Sequence, residues 1–252
     1  MVGYQTTDAA DCAERIRASN RVVALTGAGV STAAGLPDFR GPNGLYVTRR
    51  YDPETVFDID AFRRNPVPFY DFTRDFLGSV HTLQPTLTHR FLADLEGRGK
   101  LTAVVTQNID SLHQKAGSRN VVAIHGDYWT SHCLYCHAEF NLEYLARAVV
   151  EEEVPHCPCS GLIKPDVVFF GEPVCSFDRA SAVVAESDYL LVLGSSLNVY
   201  PAALLPDLAG GDVLVVNQGE VGLPPLPHRS LVDADLDEFF GEVSGLYKPT
   251  CS

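Results

Sequence analysis

The sequence predicts an α/β fold in which a parallel sheet forms the larger part and a smaller lobe interrupts it. Three observations predict this. Short runs of β-branched and aliphatic residues alternate with helix-like segments, the pattern of strands buried on both faces. Small polar motifs follow those runs repeatedly, at the strand ends where open α/β sheets bind ligands. Two stretches break the alternation, one rich in proline and aromatics and one holding paired cysteines.

The elements follow in order. Residues 9–19 read as a helix, and RVVALT (21–26) as a buried strand that runs straight into GAGVSTAAG (27–35). Strand, glycine turn, then a small-residue helix start is the layout of a dinucleotide-binding unit. Residues 41–85 carry five prolines and an aromatic cluster, and read as short helices of an insertion. A helix over 88–96 precedes a second strand, LTAVVT (101–106). A third strand over 121–124 ends at His125-Gly126. Cysteines and a polar helix near 142–152 fill 131–164, and PDVVFF (165–170) is extended. A helix over 180–186 precedes the strands YLLVL (189–193) and DVLVV (212–216). A last short strand at 231–232 and a helix over 236–243 close the chain.

The chain has 252 residues, 46% of them apolar and 20% charged, enough for a sizeable core and unlike a disordered chain. A net charge of −13 offers no basic face for general nucleic-acid binding and suits basic protein partners. No apolar run reaches membrane-span length. The opening residues lack an apolar signal core, so a cytoplasmic location is expected.

Seven cysteines, four of them in one window, favour a metal site over disulfides. Cys133 and Cys136 form one pair and Cys157 and Cys159 another. Four thiolates in two close pairs satisfy a tetrahedral zinc ion in a closed, structural site. The tighter second pair leaves His132 or His156 as a possible replacement ligand.

The G-A-G turn at Gly27, Ala28 and Gly29 lacks a third glycine and by itself fits a plain tight turn. Asp38, Phe39 and Arg40 follow it; Arg40 can add a planar fork of donors to a bound phosphate, or pair with Asp38 on the surface. Gln107, Asn108 and Asp110 crowd one strand end, where one of them can cap the next helix. His125 ends an apolar strand and can act as a general base near neutral pH. His81, His89, His113, His132, His137, His156 and His228 lack such a setting and read as structural or surface residues. Gly194, Ser195 and Ser196, and Asn217 and Gln218, again follow buried strands; they suit phosphate and ribose hydroxyls, or ordinary loops.

Taken together, GAGVSTAAGLPDFRG (27–41), TQNIDSLHQKAG (106–117), HG (125–126), the cysteine pairs, KPDVVFFGE (164–172), GSSLNVYPAA (194–203) and VNQGE (216–220) closely resemble the sirtuins, the Sir2-type NAD-dependent protein deacylases. The resemblance runs from about Arg21 to about Phe240. It implies a Rossmann-like domain (1–40, 86–127 and 165–252) and a small lobe made of a helical insertion (41–85) and a zinc module (128–164). It implies removal of an acyl group from lysine at the expense of NAD, with nicotinamide and O-acyl-ADP-ribose as products.

By the same resemblance, Gly27, Ala28, Thr32, Asp38, Phe39 and Arg40 hold NAD. Gln107, Asn108, Ile109 and Asp110 line the ribose and nicotinamide pocket. Gly194, Ser195, Ser196, Asn217 and Gln218 face the phosphates and adenosine ribose, and Asp235 and Leu236 the adenine. Asn108 and His125 are the catalytic pair. The acyl oxygen attacks the ribose carbon that bears nicotinamide, and His125 then draws a proton from the ribose hydroxyls. The peptide adds as a strand beside Val168, Phe169, Phe170, Gly171 and Glu172 and near Val199.

Relatives selective for acidic acyl groups carry a Tyr-x-x-Arg pair, whose places are Thr73 and Phe76 in this chain. A neutral acyl group, acetyl most simply, is therefore expected, although Arg74 lies close in sequence. Tyr46 stands where many relatives have Trp, as in a prokaryotic subgroup. The expected partners are acetyl-lysine-containing proteins, with no direct nucleic acid and no membrane, and the chain is expected to be monomeric. Mono-ADP-ribosyl transfer, an NAD(H) dehydrogenase and a non-catalytic NAD sensor are the rival readings. The Asn108 and His125 pair argues against the first and the thiol module against the second.

Overall fold

The computed structural model describes residues 4–5, 7–37 and 51–247. Its strands are β1 Val22–Thr26, β2 Leu101–Thr106, β3 Val121–Ala123, β4 Thr130–Cys133, β5 Glu139–Asn141, β6 Ile163–Pro165, β7 Tyr189–Leu193, β8 Asp212–Val216 and β9 Arg229–Val232. Contacts divide the chain into two compact units, one of residues 1–36, 84–124 and 176–252, the other of 37–83 and 125–175. Residues 125–127 and 165–175, expected with the larger domain, group with the smaller. The reason is local: the Val168 amide donates to the His125 carbonyl at 2.8 Å, and Asp166 N–H to the Thr130 carbonyl at 3.0 Å.

In the first unit six parallel strands lie in the order β3-β2-β1-β7-β8-β9. The order reverses between β1 and β7, the switch point at which such sheets open a crevice. Register aligns Thr106, Thr26, Leu193, Val216 and Val232 across the carboxyl edge. The residues that follow, Gln107, Gly27, Gly194 and Asn217, therefore start their loops in one row. β1 and β7 are buried along their whole length, as their uninterrupted apolar sequences require.

Helices Ala9–Ala18, Leu87–Gly97 and Leu236–Leu246 pack Ile16, Leu92, Leu95 and Phe240 on one side of this sheet. Their starts are fixed by side chains. Asp8 and Asp235 cap the first and last. Asp237 reaches across to the Leu87 and Thr88 amides at 3.0 and 2.9 Å, supplementing the Thr86 cap of the middle helix. Each such cap contributes about 1 kcal/mol.

The segment Ala28–Ala34, expected to open an α-helix, is a 3-10 helix ending at left-handed Gly35. The helix expected over 180–186 begins earlier, at Phe177–Ala185.

In the second unit, β5, β4 and β6 form an antiparallel sheet. Helices Pro53–Val56, Ile59–Arg64 and Val67–Val80 occupy the described part of the expected insertion. They bring Phe57 and Phe62 edge-to-face, and Phe69 at a tilt, around Phe169, with ring centroids 4.8–6.0 Å from it. The stretch after β6 is extended without continuing the ladder; one parallel bridge, Asp58 with Phe170, holds its far end.

Candidate active site

At the switch point the two loops come together chiefly through backbone. A Cβ on Gly27 would stand 2.6 Å from the Gly194 carbonyl oxygen, and one on Gly29 2.7 Å from the Gly194 Cα. Gly194 is itself left-handed, with φ 60°. Gly29 N–H donates to the Gly194 carbonyl at 2.9 Å, and Gly27 N–H to Leu193 at 2.9 Å. The glycines thus supply close approach between two crossover loops, a requirement no side-chain-bearing residue meets. Thr32 is exposed on this turn, its hydroxyl bonded back to the Gly29 carbonyl.

The end of β2 builds a polar net beside them. Asp110, 8% exposed, accepts from Ser31 Oγ at 2.7 Å and from the Leu112 amide at 2.8 Å. One carboxylate oxygen starts the helix Leu112–Ala116 while the other holds the glycine turn. Burial pushes the Asp110 carboxyl up, and the bonds from Ser31, Leu112 and Asn108 pull it back only in part. Asn108 donates through Nδ2 to the Gly27 carbonyl and Ser31 Oγ, at 3.1 and 3.2 Å. Gln107 Nε2 meets Ser195 Oγ at 2.9 Å. Ile109 is half-buried between them in sequence. Asn217 is buried and bonds to the Gln218 carbonyl; Gln218 is exposed, Leu236 buried beside its Asp235 cap, and Ser196 half-buried.

Beneath this net, Thr106 Oγ1 accepts from the Asn108 amide at 3.1 Å and from Thr26 Oγ1 at 2.9 Å. Thr26 in turn meets His113 Nε2 at 2.9 Å. His113 meets His89 in a tilted ring contact with centroids 4.5 Å apart. Burial pushes both imidazoles down, His89 to about 4 and His113 well below its ordinary value. Both are neutral supports, in keeping with their structural reading.

In the second unit, His125 is half-buried and followed by Gly126 at φ 70°. A Cβ on Gly126 would overlap the Asp166 carbonyl oxygen at 1.8 Å, so the backbone after His125 is held in a position open only to glycine. Along the expected peptide edge, Phe169 is buried, Phe170 exposed, and Val168 and Glu172 half-buried. Left-handed Gly171 turns the chain, and Glu172 accepts the Phe169 amide at 2.9 Å. In the first unit, Val199 is half-buried at the start of the turn that leads to the 3-10 helix Ala202–Leu208.

The Sγ atoms of Cys133, Cys136, Cys157 and Cys159 all lie within 4.8 Å of one another, a donor set and spacing compatible with zinc. Amides of Tyr135 and Cys136 point at Cys133 Sγ at 3.4 Å. The two candidate substitutes are engaged elsewhere: His132 Nδ1 with Asp166 at 2.7 Å, His156 Nδ1 with the Val154 carbonyl at 2.7 Å. The thiolate set is thus the four cysteines.

The residues bearing on acyl choice are equally defined. Thr73 is fully buried and meets the Tyr128 hydroxyl, and Phe76 stacks between Phe72 and Tyr128. Arg74 turns away from them. Its Nε and Nη2 donate to the Val149 and Glu153 carbonyls at 2.6 and 2.7 Å, closing the end of helix Leu142–Glu151, and its Nη1 pairs with Asp71.

Asp38, Phe39 and Arg40, like Tyr46, lie outside the described residues. Sequence reasoning gave no role to Ser31, although its place in the glycine turn pointed to one. It also passed over Thr26, Thr106 and Lys164, whose partners come from distant segments.

A parallel sheet with its crevice between β1 and β7, together with a four-cysteine cluster compatible with zinc, defines a Rossmann-like dinucleotide-binding protein. The chain belongs to the Sir2 family, whose model matches residues 27–201. It is 40% identical to an NAD-dependent protein deacetylase of Sulfolobus acidocaldarius across 97% of this chain and 99% of that protein. It is 43% identical to one of Thermotoga maritima across 80% and 83%. Among solved structures it resembles a Sir2 protein with deacetylated p53 peptide and 3'-O-acetyl ADP ribose, with TM-score 0.87, 38% identity and coverage of 95% and 98%. A Sir2–p53 peptide–NAD+ structure gives 0.83 at 38% identity, covering 92% and 95%.

Proposed function

We propose that this chain is an NAD-dependent protein-lysine deacetylase that releases nicotinamide and O-acetyl-ADP-ribose. The observation that carries the reading is the Asn108–Ser31–Asp110 net at the mouth of the switch-point crevice, in a chain of the Sir2 family. NAD supplies the ribose carbon to which the acyl oxygen becomes joined as nicotinamide leaves. The chain's own part is to hold and orient. Asn108 and Asp110 present a carboxamide and a largely desolvated carboxyl to the ribose and nicotinamide. Donors and acceptors fixed in advance need no reorganisation as positive charge develops on the sugar. Gln107, Gly194, Ser195, Ser196, Asn217 and Gln218 line the edge facing phosphates and adenosine. His125 is the general base that takes the ribose hydroxyl proton.

The peptide docks as an added strand along Val168–Glu172 and near Val199. Arg74 is tied to backbone carbonyls, which supports a neutral acyl group. The protein works as a cytoplasmic monomer on acetylated proteins.

The test is incubation with NAD and acetyl-, propionyl-, butyryl- and succinyl-lysine peptides. Acetyl-lysine should be consumed in step with nicotinamide release. His125→Ala should lose at least about 100-fold in turnover while retaining NAD binding. Nicotinamide release with an intact peptide and label fixed on protein would instead establish ADP-ribosyl transfer.

A further inference from the structure

Lys164 is a buried charge that neither the zinc module nor the catalytic pair requires. It is 6% exposed, and it lies in β6 opposite His132. Its Nζ sits 2.8 Å from Glu172 Oε2, 2.8 Å from the Val167 carbonyl and 3.2 Å from the Pro165 carbonyl. An ammonium has three protons, and these three acceptors take all of them. The face of Phe169 lies beside the same nitrogen, 4.1 Å from Nζ to the ring centroid. Burying a charge is costly unless it is paired and hydrogen-bonded, and this one is both, although burial still outweighs its partners and pulls the ammonium below its ordinary value.

The arrangement also closes a loop. Glu172 Oε2, held by Lys164, accepts the Phe169 amide at 2.9 Å, and the Glu172 amide donates to the Phe169 carbonyl at 3.0 Å. The ammonium therefore ties the start of the segment, at Pro165 and Val167, to its end at Glu172. Beyond β6 no ladder continues; the other ties are backbone bonds to Thr130, His125, Phe57 and Ile59, and the Asp166 carboxylate's bonds to Thr130 and His132. An edge that adds a peptide strand through main-chain bonds binds more tightly when its conformation is fixed beforehand.

We propose that Lys164 is a positioning residue for the substrate peptide, holding the 165–172 edge in its docking conformation through Glu172 and two backbone carbonyls. This rests on the deacetylase reading above. A guanidinium is planar and longer, so arginine does not reproduce the three-way contact.

The experiment compares the full-length zinc-loaded protein with Lys164→Met, Lys164→Arg, Glu172→Gln and the Lys164→Met/Glu172→Gln double variant. Lys164→Met should raise the acetyl-peptide KM about tenfold, as expected when the ordering of a loop is transferred to the binding step. The NAD dissociation constant without peptide should stay within about twofold. Lys164→Arg should restore little, and the double variant should be no worse than the poorer single one. Hydrogen exchange, measured without NAD or peptide, should speed up at the Phe169 and Phe170 amides and not in β7. If Lys164→Met does not fold, Glu172→Gln carries the same KM and exchange comparison. An unchanged peptide KM, or equal losses in NAD affinity and kcat, overturns the proposal. A wild type inactive on every peptide, with the exchange change intact, defeats the deacetylase reading and leaves the clamp standing.

Discussion

The Ser31 hydroxyl donates to the Asp110 carboxylate at 2.7 Å, joining the glycine turn after β1 to the loop after β2. The same hydroxyl accepts from Asn108, so one small side chain fixes the relative placement of two neighbouring loops. Ser31→Ala leaves a buried carboxylate oxygen without its donor. The expected cost is about 1–3 kcal/mol in the interactions it supports. Calorimetry should show NAD affinity falling about tenfold, while the zinc content of the purified variant stays at one per chain.

Burial holds His89 at about 4, against an ordinary value of 6.5. A depressed histidine contributes stability above the unfolded value and loses it as pH falls from there toward the folded value. The window is therefore pH 6.5 down to about 4. Between pH 8 and pH 5 this residue should cost roughly 2 kcal/mol of unfolding free energy. Urea titrations at the two pH values check this, and His89→Asn should remove that share of the difference.

The four clustered thiols should bind one zinc ion and resist alkylation while it is present. Chelation should make four additional thiols reactive and loosen β4 to β6, while the parallel sheet persists. Thiol titration with and without chelator, followed by hydrogen exchange, reads both outcomes. Cys133→Ser should remove the metal outright, because its sulfur also receives the Tyr135 and Cys136 amides.

Arg74 separates sequence proximity from function. Its guanidinium closes a helix end, so Arg74→Ala should lower stability by about 1–2 kcal/mol and leave the ratio of acetyl to succinyl turnover unchanged. A rise in that ratio would show that the guanidinium does reach an acidic acyl group.

The strands of the parallel sheet were legible because continuous runs such as Tyr189 to Leu193 have no other stable place than between two covered faces. The loops after them were legible for the same reason: glycine, serine and carboxamide residues stand directly at each strand end. What the sequence did not disclose is partnership across distance. Lys164 gains a role only once Glu172 and Phe169 fold around it. His89 and His113 read as structural residues, but their ring contact and the thread through Thr26 to Asn108 join segments that the sequence keeps apart. The 3-10 form of 28–34 was hidden as well, as was the close approach of the Gly194 backbone to Gly29.

The pairing of β1 with β7 has a consequence during synthesis. Asn20, just before β1, bonds to Asp188, which lies 168 positions later. One flank of the central strand therefore stays open on the ribosome until most of the chain has emerged. Non-local pairing of this kind slows folding and leaves an unpaired strand edge exposed to other chains meanwhile. Truncation before β7 should thus yield not a smaller binding protein but an aggregating fragment, and chaperone dependence should centre on the nascent first three-quarters of the polypeptide.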